Sequence, residues 1–208
     1  LSGPASDDAP RSLRDAGVRE RRRAMLGEPH IAPLTRYASK LRRRPGVEVP
    51  EFDPLDGGVR ARVLFLLEKP GPMTASAKTG RAGSGFISRN NDDPSAEATF
   101  GFMVQAGLAR RFTVTWNVVP WWNGTTDVSG AEVREGAEQV RELIGLLPEL
   151  RAVVFVGRKA ARARRHLADA GLELFHSDHP SPIVRARWPE RWRAIPQSWA
   201  AVLPIVDG

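Results

Sequence analysis

Short, unbroken apolar runs punctuate the chain, each ending on polar residues, Gly or Pro. The first, Val63-Leu64-Phe65-Leu66-Leu67, stops at Glu68-Lys69-Pro70-Gly71. A run apolar at every position marks a strand covered on both faces, as in the interior of a parallel sheet. Residues 112–118, 152–156 and 172–175 read as three more strands, of which 152–156 is likewise apolar throughout. Between them the apolar spacing becomes helical: Val133, Ala137, Val140, Ile144 and Leu147 recur at intervals of four and three, behind a capping box of Ser129 and Glu132. Asp93-Pro94 reads as the N-cap and first position of an earlier helix that buries Phe102, Met103 and Ala106 and stops at Gly107. Gly157 opens a basic helix over 159–170. Four strands alternating with three helices predict an α/β fold, a three-layer α/β/α sandwich around a central, mostly parallel four-stranded sheet.

The N-terminal part reads differently. Residues 1–10 are small, polar and acidic, and disorder is expected. Residues 11–58 are expected to form a basic helical extension packed on the core, with one charged helix over 11–26 and a second over 33–44 that shows Leu34, Tyr37, Ala38 and Leu41 on one face. The α/β domain is expected to occupy 59–208. Within it, residues 71–93 make a loop long enough to be functional or disordered.

Composition narrows the chemistry. A chain of 208 residues with 41% hydrophobic content buries a core without staples. Zero cysteines exclude disulfides, thiolate zinc sites, cysteine-held iron-sulfur clusters and a cysteine nucleophile. His30, His166 and His176 show no metal spacing, so neither metal nor cofactor is expected. No run approaches the roughly 18 apolar residues of a membrane span, and no signal peptide is visible, which makes a cytoplasmic, soluble monomer the expectation. The net charge of +7 lies mostly in residues 1–44, with 11 basic and 5 acidic side chains. Clustered arginines of this kind are either a solvated helix face or a nucleic-acid contact.

In parallel sheets, ligands bind beyond the carboxyl ends of the strands. Three such ends carry notable residues: Glu68-Lys69-Pro70-Gly71, Asn117, and His179-Pro180-Ser181-Pro182. Their order resembles the uracil-DNA glycosylase superfamily, which pairs a first motif Gly-(Gln/Glu)-x-Pro-(Tyr/Gly) with a strand ending in Asn and a late His-Pro-Ser-Pro. The resemblance covers roughly residues 59–192. It implies a monofunctional, cofactor-independent DNA glycosylase that flips a damaged or modified base out of DNA, single-stranded or duplex. By the same resemblance, Phe86 would stack on the base, Asn117 would hydrogen-bond the pyrimidine edge, and His179 would stabilise charge on the base O2. Ser95 and Ser181 would grip flanking phosphates, Ile183 would wedge into the vacated stack, and Arg185 would lie against the DNA.

Two departures shape the expected activity. Where the best-known branch has a water-assisting aspartate, this chain has Lys69, whose ammonium opposes a developing sugar cation unless turned outward. Glu68 and Asp92 are the candidate replacements, and Lys69 itself is an alternative Schiff-base nucleophile. Gly71 stands where uracil-strict enzymes carry a tyrosine that collides with a C5 methyl, so C5-modified pyrimidines become candidate substrates, in base-excision repair or in defence against phage with modified DNA. Blander readings stand beside these: His179 satisfying a Pro-rich turn, Phe86 as packing, Asp93 as a cap, and Trp116, Trp121 and Trp122 as core or rim aromatics. A non-catalytic nucleic-acid-binding protein on the same fold is the alternative function.

Overall fold

The computed structural model describes residues 6–71, 74 and 83–207. In chain order the elements are α1 (Ala16–Ala24), α2 (Ala32–Leu41), β1 (Glu51–Phe52), β2 (Val63–Leu67), β3 (Phe86–Ile87), α3 (Pro94–Gln105), β4 (Thr113–Asn117), α4 (Gly130–Ile144), β5 (Ala152–Val156) and β6 (Glu173–Ser177). Four short helices follow: α5 (Pro182–Arg187), α6 (Pro189–Arg193), α7 (Ile195–Ala200) and α8 (Leu203–Asp207). The main sheet has the order β4-β2-β5-β6 and every pairing is parallel. A second, two-stranded parallel sheet joins β1 to β3.

Side-chain alternation divides the core into two layers. Leu64, Leu66, Val114, Trp116, Val153 and Phe155 pack with Leu34, Tyr37 and Leu41 of α2 and with Val133, Val140 and Leu143 of α4. On the opposite face Val63, Phe65, Val154 and Val156 pack with Phe102 and Met103 of α3 and with Trp199 of α7. Helices on both faces of a parallel sheet make the three-layer α/β sandwich that the strand and helix alternation predicts.

Local signals act where the sequence places them. The Asp93 carboxylate accepts from the Ser95 and Ala96 amides at 2.9 Å, and Pro94 occupies the first turn of α3. Both halves of the Ser129 and Glu132 capping box are formed. Trp116 and Trp121 are buried core, whereas Trp122 is half-buried and bridges Glu48.

Several boundaries differ from expectation. Residues 159–170 form a 3-10 helix, Ala160–His166, in place of an α-helix. Ala160 and Ala163 are its buried residues, and a three-residue spacing fits three residues per turn. The helix expected over 11–26 is α1 flanked by 3-10 turns. β6 runs to Ser177, because pairing with β5 continues through Val156.

Residues 6–10, where disorder was expected, are held in place, while residues 1–5 lie outside the described part. Asp7 pairs with Arg21 at 2.6 Å, and Asp8 pairs with Arg89 and Arg110. Much of the N-terminal positive charge is likewise committed inside the molecule. Arg11 pairs with Asp92 and Glu97, Arg22 with Asp53, Lys40 with Glu142, Arg42 with Glu51, and Arg44 with Glu135. The cationic run therefore fastens the extension to the domain more than it forms a free basic face.

Candidate active site

Parallel register delivers the strand ends to one edge of the sheet. Leu67 lies opposite Asn117, and the Val118 and Val119 amides donate to the carbonyls of Leu67 and Glu68 at 2.8 and 2.9 Å. Val156 lies opposite Ser177, whose carbonyl accepts from Gly157 N at 2.8 Å. Gly157 has φ +88°, and a Cβ there would stand 3.0 Å from the His179 Cβ. Glycine thus lets the chain after β6 lie directly on the end of β5 and fixes where His179 sits. The Ser177 hydroxyl accepts from Trp199 Nε1 at 2.8 Å, which ties this end of β6 to α7.

A cleft of about 180 Å³ opens at that edge, lined among others by Glu68, Gly71, Ile87, Asp93, Ser95, Asn117 and His179. This is below the roughly 300–1,000 Å³ of drug-sized sites and suits one small ring. Three lining side chains carry buried atoms without a hydrogen-bond partner among the described residues: the Asn117 Nδ2 and Arg89 Nε donors and the Glu68 Oε1 acceptor. Each orphan of this kind costs about 1–3 kcal/mol unless a ligand or water satisfies it. The other oxygen of Glu68, Oε2, lies 3.1 Å from Lys159 Nζ. Burial pushes the His179 imidazole below its ordinary value of 6.5, and the Lys159 charge pushes it further down, leaving the ring neutral at pH 7. Burial raises the Asp93 carboxyl, with the Ala96 and Ser95 amides opposing.

The structure thus brings Glu68, Lys69, Gly71, Ser95, Asn117 and His179 to one cleft, and leaves Phe86, Asp92, Ser181, Ile183 and Arg185 outside its lining. Phe86, expected to stack on a base, is 1% exposed and packs with Leu13, Val18 and Leu26. Its strand neighbour Ile87 points the other way and lines the cleft. Asp92 is outside the lining and pairs with Arg11 at 3.2 Å. Lys69 lines the cleft, yet its side chain is 2% exposed and its ammonium donates to Asn123 Oδ1 at 2.7 Å, the Asp127 carbonyl at 3.0 Å and Glu132 Oε1 at 3.1 Å. These contacts enclose the amine within the segment leading into α4 and tie the end of β2 to that helix. Ser181 caps α5 through the Val184 amide, Ile183 is 67% exposed, and the Arg185 guanidinium stacks on Trp192.

Sequence reasoning missed two residues at the cleft. Lys159, outside the lining but paired with Glu68, lies just past the end of β5 and was readable from the strand-end rule alone. Arg89, in the lining, is buried and paired with Asp8, a contact no local pattern announces. Among the described residues no cluster of three His, Asp or Glu side chains is arranged to hold a metal ion, and no helix is long and apolar enough to cross a membrane.

Comparison with known proteins fits this geometry. The sequence model of the uracil DNA glycosylase superfamily matches residues 55–201. No curated protein matches the chain. Among solved structures, the solution NMR structure of a candidate uracil DNA glycosylase from Methanosarcina acetivorans is similar, with a TM-score of 0.47 at 18% identity, covering 72% of this chain and 92% of that one. The family match spans all four strands of the main sheet together with Glu68-Lys69-Pro70-Gly71 and His179-Pro180-Ser181-Pro182, and on it the chain belongs to the uracil DNA glycosylase superfamily.

Proposed function

We propose that the chain is a DNA glycosylase that extrudes uracil or a C5-modified pyrimidine and hydrolyses its N-glycosidic bond without a metal or cofactor, in base-excision repair or against phage DNA carrying modified bases. One observation carries the reading: a donor on Asn117 and an acceptor on Glu68, both buried and unpartnered, share a base-sized cleft with a neutral His179.

The chemistry assigns each group a task. A base within a duplex exposes neither its edge nor its glycosidic bond, so the nucleotide must leave the stack. The Asn117 amide, with an NH2 donor group beside a carbonyl acceptor, matches a pyrimidine edge. When the C1′–N1 bond breaks, its electron pair departs with the base and spreads to O2, where a neutral imidazole N–H donates without first giving up a proton. The sugar becomes cationic, and Glu68 Oε1 faces that charge and accepts the proton of the water that bonds to C1′. Free base and an abasic site are the products.

Among the two carboxylates weighed from sequence, cleft lining favours Glu68 over Asp92. Glu68→Gln should lower excision by about 10²-fold or more, the usual weight of a general base, while Asp92→Asn stays within a few-fold of the parent. Abasic-site formation measures both, and full activity in Glu68→Gln would remove the role given to its carboxylate.

Substrate breadth follows from Gly71. Among the described residues nothing lies within 4 Å of where a Cβ on Gly71 would stand, which supports a pocket with room at C5. A panel of oligonucleotides bearing uracil, thymine and larger C5-substituted pyrimidines tests the reading directly. Wild type should release at least one C5-substituted base, and Gly71→Tyr should restrict release to uracil. Cleavage of uracil alone by both proteins would rule out the broad pocket, and release of no base by wild type would rule out the glycosylase.

A further inference from the structure

One charge beside the cleft has no part in the steps above. Lys159 lies beyond the turn at Gly157, with its side chain 62% exposed, and its ammonium is 3.1 Å from Glu68 Oε2. The opposite oxygen of that carboxylate, Oε1, is the buried acceptor left without a partner. A glutamate carboxylate, free to turn about three side-chain torsions, settles into one orientation only if something holds it, and the Lys159 ammonium is the group that does so here.

The same ammonium acts on His179, which burial and then Lys159 bias toward the uncharged form. The other charged groups nearby are engaged elsewhere. Asp178, adjacent in the chain, pairs with Arg191 of α6 at 2.6 Å. Asp93 at the head of α3 accepts from two amides, Arg89 pairs with Asp8, and Lys69 is enclosed with Glu132.

We propose that Lys159 is a positioning residue for base excision: its ammonium pins one oxygen of Glu68 so that the other is presented to the cleft, and it sets a fixed positive charge beside His179. The proposal rests on the excision reading of this cleft. It has one rival, in which an exposed ammonium at the mouth simply contacts a DNA phosphate. The two differ in what is lost on substitution. A lost phosphate contact weakens binding and reduces the salt dependence by about one charge, with the chemical step intact. A mispositioned carboxylate slows the chemical step and leaves binding nearly unchanged.

Lys159→Met and Lys159→Arg decide the matter through two readouts. The first is an NMR titration of the His179 ring in the free protein, which requires no catalysis. In Lys159→Met the midpoint should rise toward 6.5, and in Lys159→Arg it should stay at the parental value; an unmoved midpoint in Lys159→Met overturns the proposal. The second is single-turnover excision at saturating DNA on a base that the panel shows to be released. Lys159→Met should be slower by about 10- to 10²-fold, and Lys159→Arg should recover most of the rate. A parental rate with weaker, less salt-dependent binding would make Lys159 a phosphate contact and sink the positioning role. If wild type releases no base, the glycosylase reading fails by itself, and the titration still judges where the Lys159 charge acts.

Discussion

Replacing His179 with alanine should slow base excision by about 10²–10³-fold, equivalent to about 2.7–4 kcal/mol, the weight of one preorganised donor on a developing oxyanion. The loss should fall on the chemical step, because the imidazole addresses charge that exists only as the glycosidic bond breaks. Binding of an intact substrate should change little. The pH dependence supplies a second check on the same group. His179 is held below 6.5, first by burial and then by Lys159, and on the proposed mechanism the neutral ring is the active form. The acid limb due to this ring should therefore be centred below 6.5. A parental rate in His179→Ala, or an acid limb centred above pH 6.5, would show that the ring does no work on the base.

The strands and the helix starts were legible because their signals are local. Residues 63–67 and 152–156 are apolar at every position since both faces of a parallel sheet are covered, and Asp93 and Ser129 announce their helices by the amides they cap. Asn117 and His179 were legible from a second regularity, that strand ends on one edge converge. Phe86 failed for a reason period-two reasoning cannot repair. Adjacent strand residues face opposite ways, and which face meets the cleft is decided by Leu13 and Val18 arriving from the N-terminal extension to bury Phe86. Lys69 is similar. Its residue type raised the right alternative, an ammonium turned away from the sugar, but its partners Asn123, Asp127 and Glu132 come from a distant segment. The broken helix after β5 depends on how Ala160 and Ala163 meet the sheet, which composition does not encode.

The N-terminal extension and the cleft meet at Asp53, and Asp53→Asn should be the most damaging single substitution in the chain. Asp53 is 0% exposed and sits between the guanidinium groups of Arg22 and Arg110, with the Ser88 hydroxyl and the Leu55 amide also donating to it. Arg110 reaches on to Asp56 and Asp8, and Asp8 to Arg89 and Asn90, so one carboxylate anchors α1, residues 6–10 and the segment entering the cleft. Burial alone would raise the Asp53 carboxyl, but Arg110, Arg22 and Ser88 more than offset it and hold it below 3.8. A depressed carboxylate adds stability that is present above its unfolded value and lost as the pH falls through its folded one. Asp56 has the opposite sign: burial and the Asp53 charge push it up to about 6 against Arg110, so its contribution is present below 3.8 and lost as the pH rises through about 6. Removing the Asp53 charge leaves buried Arg22 without its carboxylate partner, while Arg110 keeps Asp56 and Asp8, at a cost of about 3–5 kcal/mol, against a total of about 5–15 kcal/mol for a whole domain. Urea denaturation at pH 7 should show that loss, and the fall in stability below pH 4 should be shallower than in the parent. Because Ser88 and Arg89 line the cleft from the same cluster, excision should decline together with stability. A parental denaturation midpoint would mean that these ion pairs do not join the extension to the site.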